Sequence, residues 1–189
     1  LPVHGVSWVD AARFANKLSE LEGLEPVYNF QAGYVSRSYG ANVNGYHLLT
    51  EKQWEYAARA GGEAPWVGAG TASEICRSSN VADASAARET PGLEVIACDD
   101  GYPELAPVDS LAPNAWGLHH MGGNVAEWTD SRYGGQYALA RPEGGGSGRV
   151  IRGGSYLSSA ADARVAARVY ERDEEATHAH VGFRLARKP

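Results

Sequence analysis

Cysteine is scarce in this chain of 189 residues, which has only Cys76 and Cys98. Two are too few for a disulfide framework, and two separate thiols are expected rather than one bridge across a surface loop. No run of about 18 apolar residues occurs, so no transmembrane segment is expected. Positive charge is in deficit: 17 Lys and Arg stand against 23 Asp and Glu, a net charge of -6. A nucleic-acid binder usually carries a basic face, so that class of partner is set aside. The chain also lacks a G-x-S-x-G nucleophile elbow, a carboxylate–histidine spacing of known catalytic type and an internal repeat.

What is present suits one domain with a real core, at 43% hydrophobic and 21% charged residues. Ser7 is a good N-cap with Asp10 three residues on, and Ala11, Phe14, Ala15, Leu18 and Leu21 recur at helical spacing. A helix over residues 8–22, stopped by Gly23, follows. Pro26 to Asn44 reads as an irregular excursion with one short hairpin, and residues 46–49 as a short extended piece. Thr50 with Gln53 forms a second capping box, opening a helix that Gly61-Gly62 ends. Residues 63–113 show little regular pattern, and a loop that long needs something to hold it. Residues 131–148 are Gly-rich and read as an exposed loop; Val150-Ile151 and residues 181–185 read as strands. Early helices, long middle loops and late short strands indicate an α+β class.

The most unusual stretch runs from Asn114 to Tyr156. Aromatic residues adjoin glycines there, and Glu127 is a lone carboxylate among apolar neighbours. Such a carboxylate needs a partner: a cation, an Arg, or backbone N–H groups. The blocks "PNAWGL", "MGGNVAEWT", "RVIRGGSY" and "VGFRLAR" resemble the signature of the formylglycine-generating-enzyme (sulfatase-modifying factor) family. Upstream, "PVHGVSWVDAARFANKLSELEGLEPVY" and "GYHLLTEKQWEYAARAGG" fit the same family in the same order. His47 and Leu49 stand where that family commonly has Arg and Pro.

The resemblance implies a C-type-lectin-like fold with two helices, small antiparallel sheets and much irregular loop. It implies a single domain over residues 1–189 without the family's N-terminal portion. Trp8, Trp54, Trp116 and Trp128 are expected to fix the scaffold. A structural calcium site would use side-chain oxygens of Asn80 and Asp100 and backbone oxygens of Val81 and Tyr102, a mixed oxygen set that suits a hard cation. The plain alternative is that Asn80 and Asp100 are turn residues. A second calcium site would use Glu127 with the backbone oxygens of Gly123 and Val125. Its remaining ligand falls at His120, and imidazole is a poor ligand for calcium.

Catalysis is addressed by an absence. The family's oxidases bind copper with a cysteine pair shortly after the "GGSY" block, and thiolates suit Cu(I). Residues 153–168 read GGSYLSSAADARVAAR, so copper is not expected as a cofactor. Some family members are variable proteins of diversity-generating retroelements, mutagenised between "RGGS" and "GFR". Residues 150–185 fit that arrangement, and no Asn follows Asn124. The expected role is a non-catalytic display domain for a protein or other macromolecular ligand. Tyr156, Leu157, Ser158, Asp162, Arg164, Val169, Tyr170, Arg172 and His178 are the candidate contact residues. The alternatives are a sulfatase-modifying-type oxidase, or a regulatory module of a larger protein.

Overall fold

The computed structural model describes residues 1–32, 34–38, 43–134 and 148–188. Helix α1 spans Trp8–Leu21, and its capping box forms as read: Ser7 Oγ accepts from the Asp10 N–H at 3.0 Å, and Asp10 reaches back to Ser7. Gly23, at φ +70°, follows its end. The buried face differs from the expected one. Trp8, Val9, Ala11, Ala12, Ala15 and Ser19 point inward, whereas Phe14 and Leu21 are exposed. Small residues win the inner face because Ser19 Oγ both donates to the Ala15 carbonyl and accepts from the Tyr46 N–H, drawing chain close to the helix.

The expected hairpin is β1 (Tyr28–Gln31) with β2 (Tyr34–Arg37). Strand β3 (His47–Leu48) precedes α2 (Glu51–Arg59), which Thr50 and Gln53 cap. The helix ends one residue earlier than Gly61, on Ala60 in the left-handed region. Residues 63–113 are not wholly irregular: a 3-10 helix covers Ala72–Arg77 and α3 covers Ala84–Glu89, with Asp83 as its N-cap. Helical segments therefore exceed the expected two.

A four-stranded sheet organises the second half. Its centre is β4 (Ala126–Arg132), followed in sequence by β5 (Arg149–Arg152), β6 (Val169–Glu171) and β7 (Val181–Phe183), in the spatial order β6-β5-β4-β7. The β4–β7 pair is parallel, so this sheet is mixed rather than antiparallel. Strand β8 (Leu185–Ala186) leaves it to pair with β3, so the closing strand read over residues 181–185 is two strands broken at Arg184. Ser131 and Arg132 belong to β4, not to the expected loop; the Gly-rich part of that loop, residues 135–147, lies outside the described residues.

Trp8, Trp54 and Trp128 are buried, and each indole N–H has a partner: the Thr129 carbonyl, the Glu127 carboxylate and the Val6 carbonyl. Trp116 departs from the expectation. It is 47% exposed and meets Tyr56 edge-on, while Trp66, half-buried, donates to the Ala160 carbonyl at 2.6 Å. Arg152, wholly buried on β5, ties the sheet to α2 through Glu55 at 2.7 Å, Glu51 at 3.4 Å and the Val165 carbonyl at 2.6 Å.

The two cysteines form a disulfide, contrary to the expectation of separate thiols. The chain folds back on itself here: Ile96 N–H binds the Ala82 carbonyl and Ala84 N–H binds the Cys98 carbonyl, setting the Cys76 and Cys98 Cα atoms 5.9 Å apart. That separation lies in the range a bridge requires.

Burial, reinforced by Arg37, holds the His47 imidazole down at about 4. A group whose folded pKa lies below its unfolded value of 6.5 supports folding above that value and loses the support as pH falls towards 4. The stability of the wild type minus that of His47→Gln should therefore fall between pH 6.5 and 4 and stay flat above that window. Denaturant titrations of both proteins across that range measure it.

Candidate functional site

Three neighbouring features make up the candidate site. The first surrounds Asn80, which is fully buried. Its Nδ2 donates to the Glu104 carbonyl at 2.6 Å, while its Oδ1 has no hydrogen-bond partner among the described residues. The next residue, Val81, donates its N–H to Asp100 Oδ2 at 3.0 Å, and Tyr102 N–H donates to Asp100 Oδ1 at 2.8 Å. Asp83, buried, accepts from the Asp100 N–H and from Ser85 and Ala86 at the start of α3. Burial pushes the Asp100 carboxyl up to about 6, opposed by the two N–H donors and assisted by Asp83 and Asp99.

The residues present fit a hard cation. An orphaned buried amide oxygen costs free energy, and two close carboxylates repel; a divalent ion among them would relieve both. Asp100 meets Val81 and Tyr102 through their N–H groups, and Asn80 precedes Val81 in the chain, whereas the sequence reading uses the Val81 and Tyr102 carbonyl oxygens. The sequence reading omits Asp83, although its place three residues after Asn80 in "NVAD" is a usable signal.

The second feature is Glu127 on β4. Arg184 donates to both its carboxylate oxygens, at 2.7 to 2.9 Å, and Trp54 Nε1 donates to Oε2 at 2.7 Å. The partner in this structure is thus the guanidinium, the Arg alternative of the sequence reading. Arg184 also donates to the His119 and His120 carbonyls. His120 Nε2 lies 2.9 Å from the Pro107 carbonyl, and burial lowers its pKa. Gly123, at φ +73°, packs on Asn80 so closely that an added Cβ would fall 1.9 Å from the Asn80 carbonyl oxygen.

The third feature is a cavity of about 450 Å³ beside β5 and β6. Its lining includes Leu157, Ser158, Asp162, Val169, Tyr170 and His178 from the expected contact set. Tyr156, Arg164 and Arg172 are not among the lining residues; Tyr156 is half-buried and the two arginines are exposed. Arg168, Glu171 and His180, inside the expected span of residues 150–185 but not among the named contact residues, also line the cavity. His178 Nε2 lies 3.1 Å from Glu171 Oε2, and Tyr170 stacks on Tyr133 with ring centres 4.2 Å apart. His178 and His180 both line the cavity, from the turn that precedes β7. Gly153 and Gly154, both at positive φ, form its inner end: a Cβ on Gly153 would meet the Trp54 ring at 3.0 Å.

The features are joined. Ala82 N–H donates to the Ser158 carbonyl at 3.1 Å, and Tyr156 N–H to the Asn124 carbonyl at 3.0 Å. Ala163 and Ala160 pack with Val81 and Cys76. The cavity wall therefore rests on the segment that carries Asn80 and Asp83.

A model of the "Sulfatase-modifying factor enzyme 1-like domain" matches residues 1–189. The formylglycine-generating enzyme of Thermomonospora curvata is 34% identical over 160 residues, covering 77% of this chain and 50% of that protein. The inactive C-alpha-formylglycine-generating enzyme 2 of Mus musculus is 33% identical over 151 residues, covering 75% and 43%. The chain spans about half the length of these curated relatives. Among solved structures, Treponema denticola variable protein 1 superposes with a TM-score of 0.80 at 28% identity, over 100% of this chain and 71% of that one. The α+β architecture, with its small sheets and irregular loops, is the C-type-lectin-like fold expected from the sequence.

Breaking the Glu127 pair should leave a buried carboxylate without its cation. Arg184→Met is expected to destabilise the fold by about 3 kcal/mol in urea titrations. Adding Glu127→Gln to that variant should recover at least about 1 kcal/mol, because the stranded charge is then removed.

Proposed function

Since the chain belongs to the sulfatase-modifying factor enzyme 1-like family, we propose that it is a non-catalytic ligand-display domain, diversified by a retroelement, on a calcium-braced scaffold. One observation carries the reading: most of the expected contact residues that line the cavity are exposed, on a floor of buried core residues such as Ala126, Ile151 and Val181. Leu157, Asp162, Val169 and Tyr170 are exposed, while Arg152, Gly153, Ser155 and Val165 beneath them are buried. A surface of the first kind tolerates substitution because no core packing depends on it. Exposed Leu157, Val169 and Tyr170 supply apolar area; Ser158, Asp162 and His178 supply polar contacts. The ligand is a protein or another macromolecule.

Calcium would be held by the Asn80 and Asp100 side chains and the Val81 and Tyr102 carbonyls, with Asp83 beside them. Bound there, it would supply positive charge to two crowded carboxylates. The protein's own part is positional: the Ala82-to-Ser158 hydrogen bond passes the order of that segment to the cavity wall.

A second reading is an oxidase acting on a cysteine of another protein, favoured by the formylglycine-generating enzymes among the relatives. The donor set argues against it, because both sulfurs of the chain's cysteines are joined to each other and none lies in residues 153–168.

A library randomised at Leu157, Ser158, Asp162, Val169, Tyr170 and His178 tests the display reading. Most members should melt within a few degrees of the parent, and selection on unrelated protein targets should yield binders. General unfolding of the library would overturn the display role. Oxygen uptake with copper and a cysteine peptide should stay at background; turnover would establish the oxidase instead.

Calcium should raise the melting temperature of the metal-stripped chain by several degrees, as expected for a ligand bound only by the native state. Asp100→Ala should abolish that rise while remaining folded in chelator. An unchanged response in Asp100→Ala would place the ion elsewhere.

A further inference from the structure

Glu127, with the Gly123 and Val125 carbonyls, is the second place where the sequence leads one to expect calcium. The donor set found there does not fit the ion. A carboxylate offers about four lone-pair sites. Arg184 Nε lies 2.9 Å from Oε1 and 2.8 Å from Oε2 of Glu127, Arg184 Nη2 lies 2.7 Å from Oε1, and Trp54 Nε1 donates to Oε2 at 2.7 Å. Both oxygens therefore already accept from two N–H groups. The same Nη2 donates to the His119 carbonyl at 3.1 Å and the His120 carbonyl at 3.2 Å. The guanidinium thus gathers carboxylate and backbone oxygens, the ligand types that a calcium ion collects.

The remaining ligand position fails as well. His120 offers an imidazole, a poor ligand for a hard cation. Its Nε2 is engaged elsewhere, 2.9 Å from the Pro107 carbonyl and 3.2 Å from Ser110 Oγ. Charge points the same way. These residues border a cavity of about 560 Å³, and Glu127 is the only acidic side chain among its described lining residues. Calcium added beside Arg184 would set a divalent ion and a guanidinium against one buried carboxylate, a balance that burial penalises. The fold keeps the guanidinium in place. In the β4–β7 register Glu127 stands opposite Gly182, and Arg184 follows at the break between β7 and β8.

We infer that Arg184 is a built-in cation: it takes over the charge and the oxygen ligands of the second calcium, so that no ion binds at Glu127 and calcium binding is confined to the Asn80–Asp100 segment. The closing of the Glu127 place rests on Arg184 and His120. Only the occupancy of the first place rests on the calcium reading above.

The test uses the full metal-stripped chain. Calcium is counted by equilibrium dialysis, and terbium(III) serves as a luminescent stand-in whose emission a nearby indole sensitises; Trp54 is the indole at Glu127. The wild type should bind a single calcium, Asp100→Ala none, and Glu127→Gln should bind as the wild type does. Adding His120→Asp and Arg184→Met to Asp100→Ala should open the second place. Aspartate tolerates the left-handed backbone of position 120, at φ +49°. Calcium should then raise the melting temperature of this triple variant by several degrees, and indole-sensitised terbium emission should appear. Circular dichroism follows folding throughout, and a triple variant unfolded in chelator should refold when calcium is added. Calcium or sensitised terbium that survives Asp100→Ala and disappears when Glu127→Gln is added overturns the built-in cation. So does a triple variant that gains neither ion or that calcium does not refold, because the guanidinium is then not what keeps the ion out. A wild type that binds no calcium removes the Asn80–Asp100 reading, while a gain in the triple variant still upholds Arg184.

Discussion

The position of one indole, Trp54, governs the second half of the molecule. It is almost wholly buried, donates to Glu127 on β4, lies under the guanidinium of Arg152 on β5, and blocks any side chain at Gly153. Glu127 and Arg152 face each other in the β4–β5 register. Buried charges share the interior with the aliphatic and indole side chains: Glu127, Asp130, Arg149 and Arg152 are all buried. Such charges are tolerated only when fully paired. Glu127 has Arg184 and Trp54; Arg152 has Glu51, Glu55 and the Val165 carbonyl. Removing the indole would therefore leave a carboxylate short of a donor and a strand end without its stop.

The position of the cavity follows from this. After Arg152 the chain must turn away from Trp54, and Gly153 and Gly154 supply the positive φ values that make the turn. It then has to be held down again. Ser158 does so through its carbonyl, bound by the Ala82 N–H, and Val165 through its N–H, bound by the Pro65 carbonyl. Those backbone anchors specify no side chain. They explain why residues between them can be exposed and still lie in a defined place.

Legibility in the sequence divided along physical lines. Local signals were sufficient where the determining interaction is local: Ser7 with Asp10, Thr50 with Gln53 and Gly23 fix the helix ends within a few residues of the chain. They failed where the partner is distant. The strand AEWTDSR carries Glu127 and Asp130, whose cations lie at Arg184, Arg37 and Arg149, so no period in the strand itself announces burial on both faces. The exposed face of α1 was misjudged because Phe14 finds Phe183 at the surface, a contact that spacing within the helix cannot report. Family resemblance supplied Asn80 and Asp100 where spacing alone reads them as turn residues. It did not supply Asp83, nor the closing of Cys76 on Cys98, which depends on the fold-back of residues 82–98. Of the expected contact surface, Leu157, Ser158, Asp162, Val169, Tyr170 and His178 do line the cavity. The inward turn of Arg168 and Glu171 was not readable, because each is fixed by a partner elsewhere: Glu51 for Arg168 and His178 for Glu171.

Separation of scaffold from surface has a cost that locates the pressure on this fold. Burying Arg149, Arg152, Asp130 and Glu127 in place of apolar residues gives at best a neutral exchange in stability. What it gives instead is register. A hydrophobic strand can slip along its neighbours with modest loss, whereas slipping β4 against β5 by one residue would strand several charges at once. The cavity wall inherits its position from where β5 ends, so a unique register matters more to that wall than surplus stability. The paired charges of β4 and β5 thus fix where β5 ends and, with it, where the cavity begins.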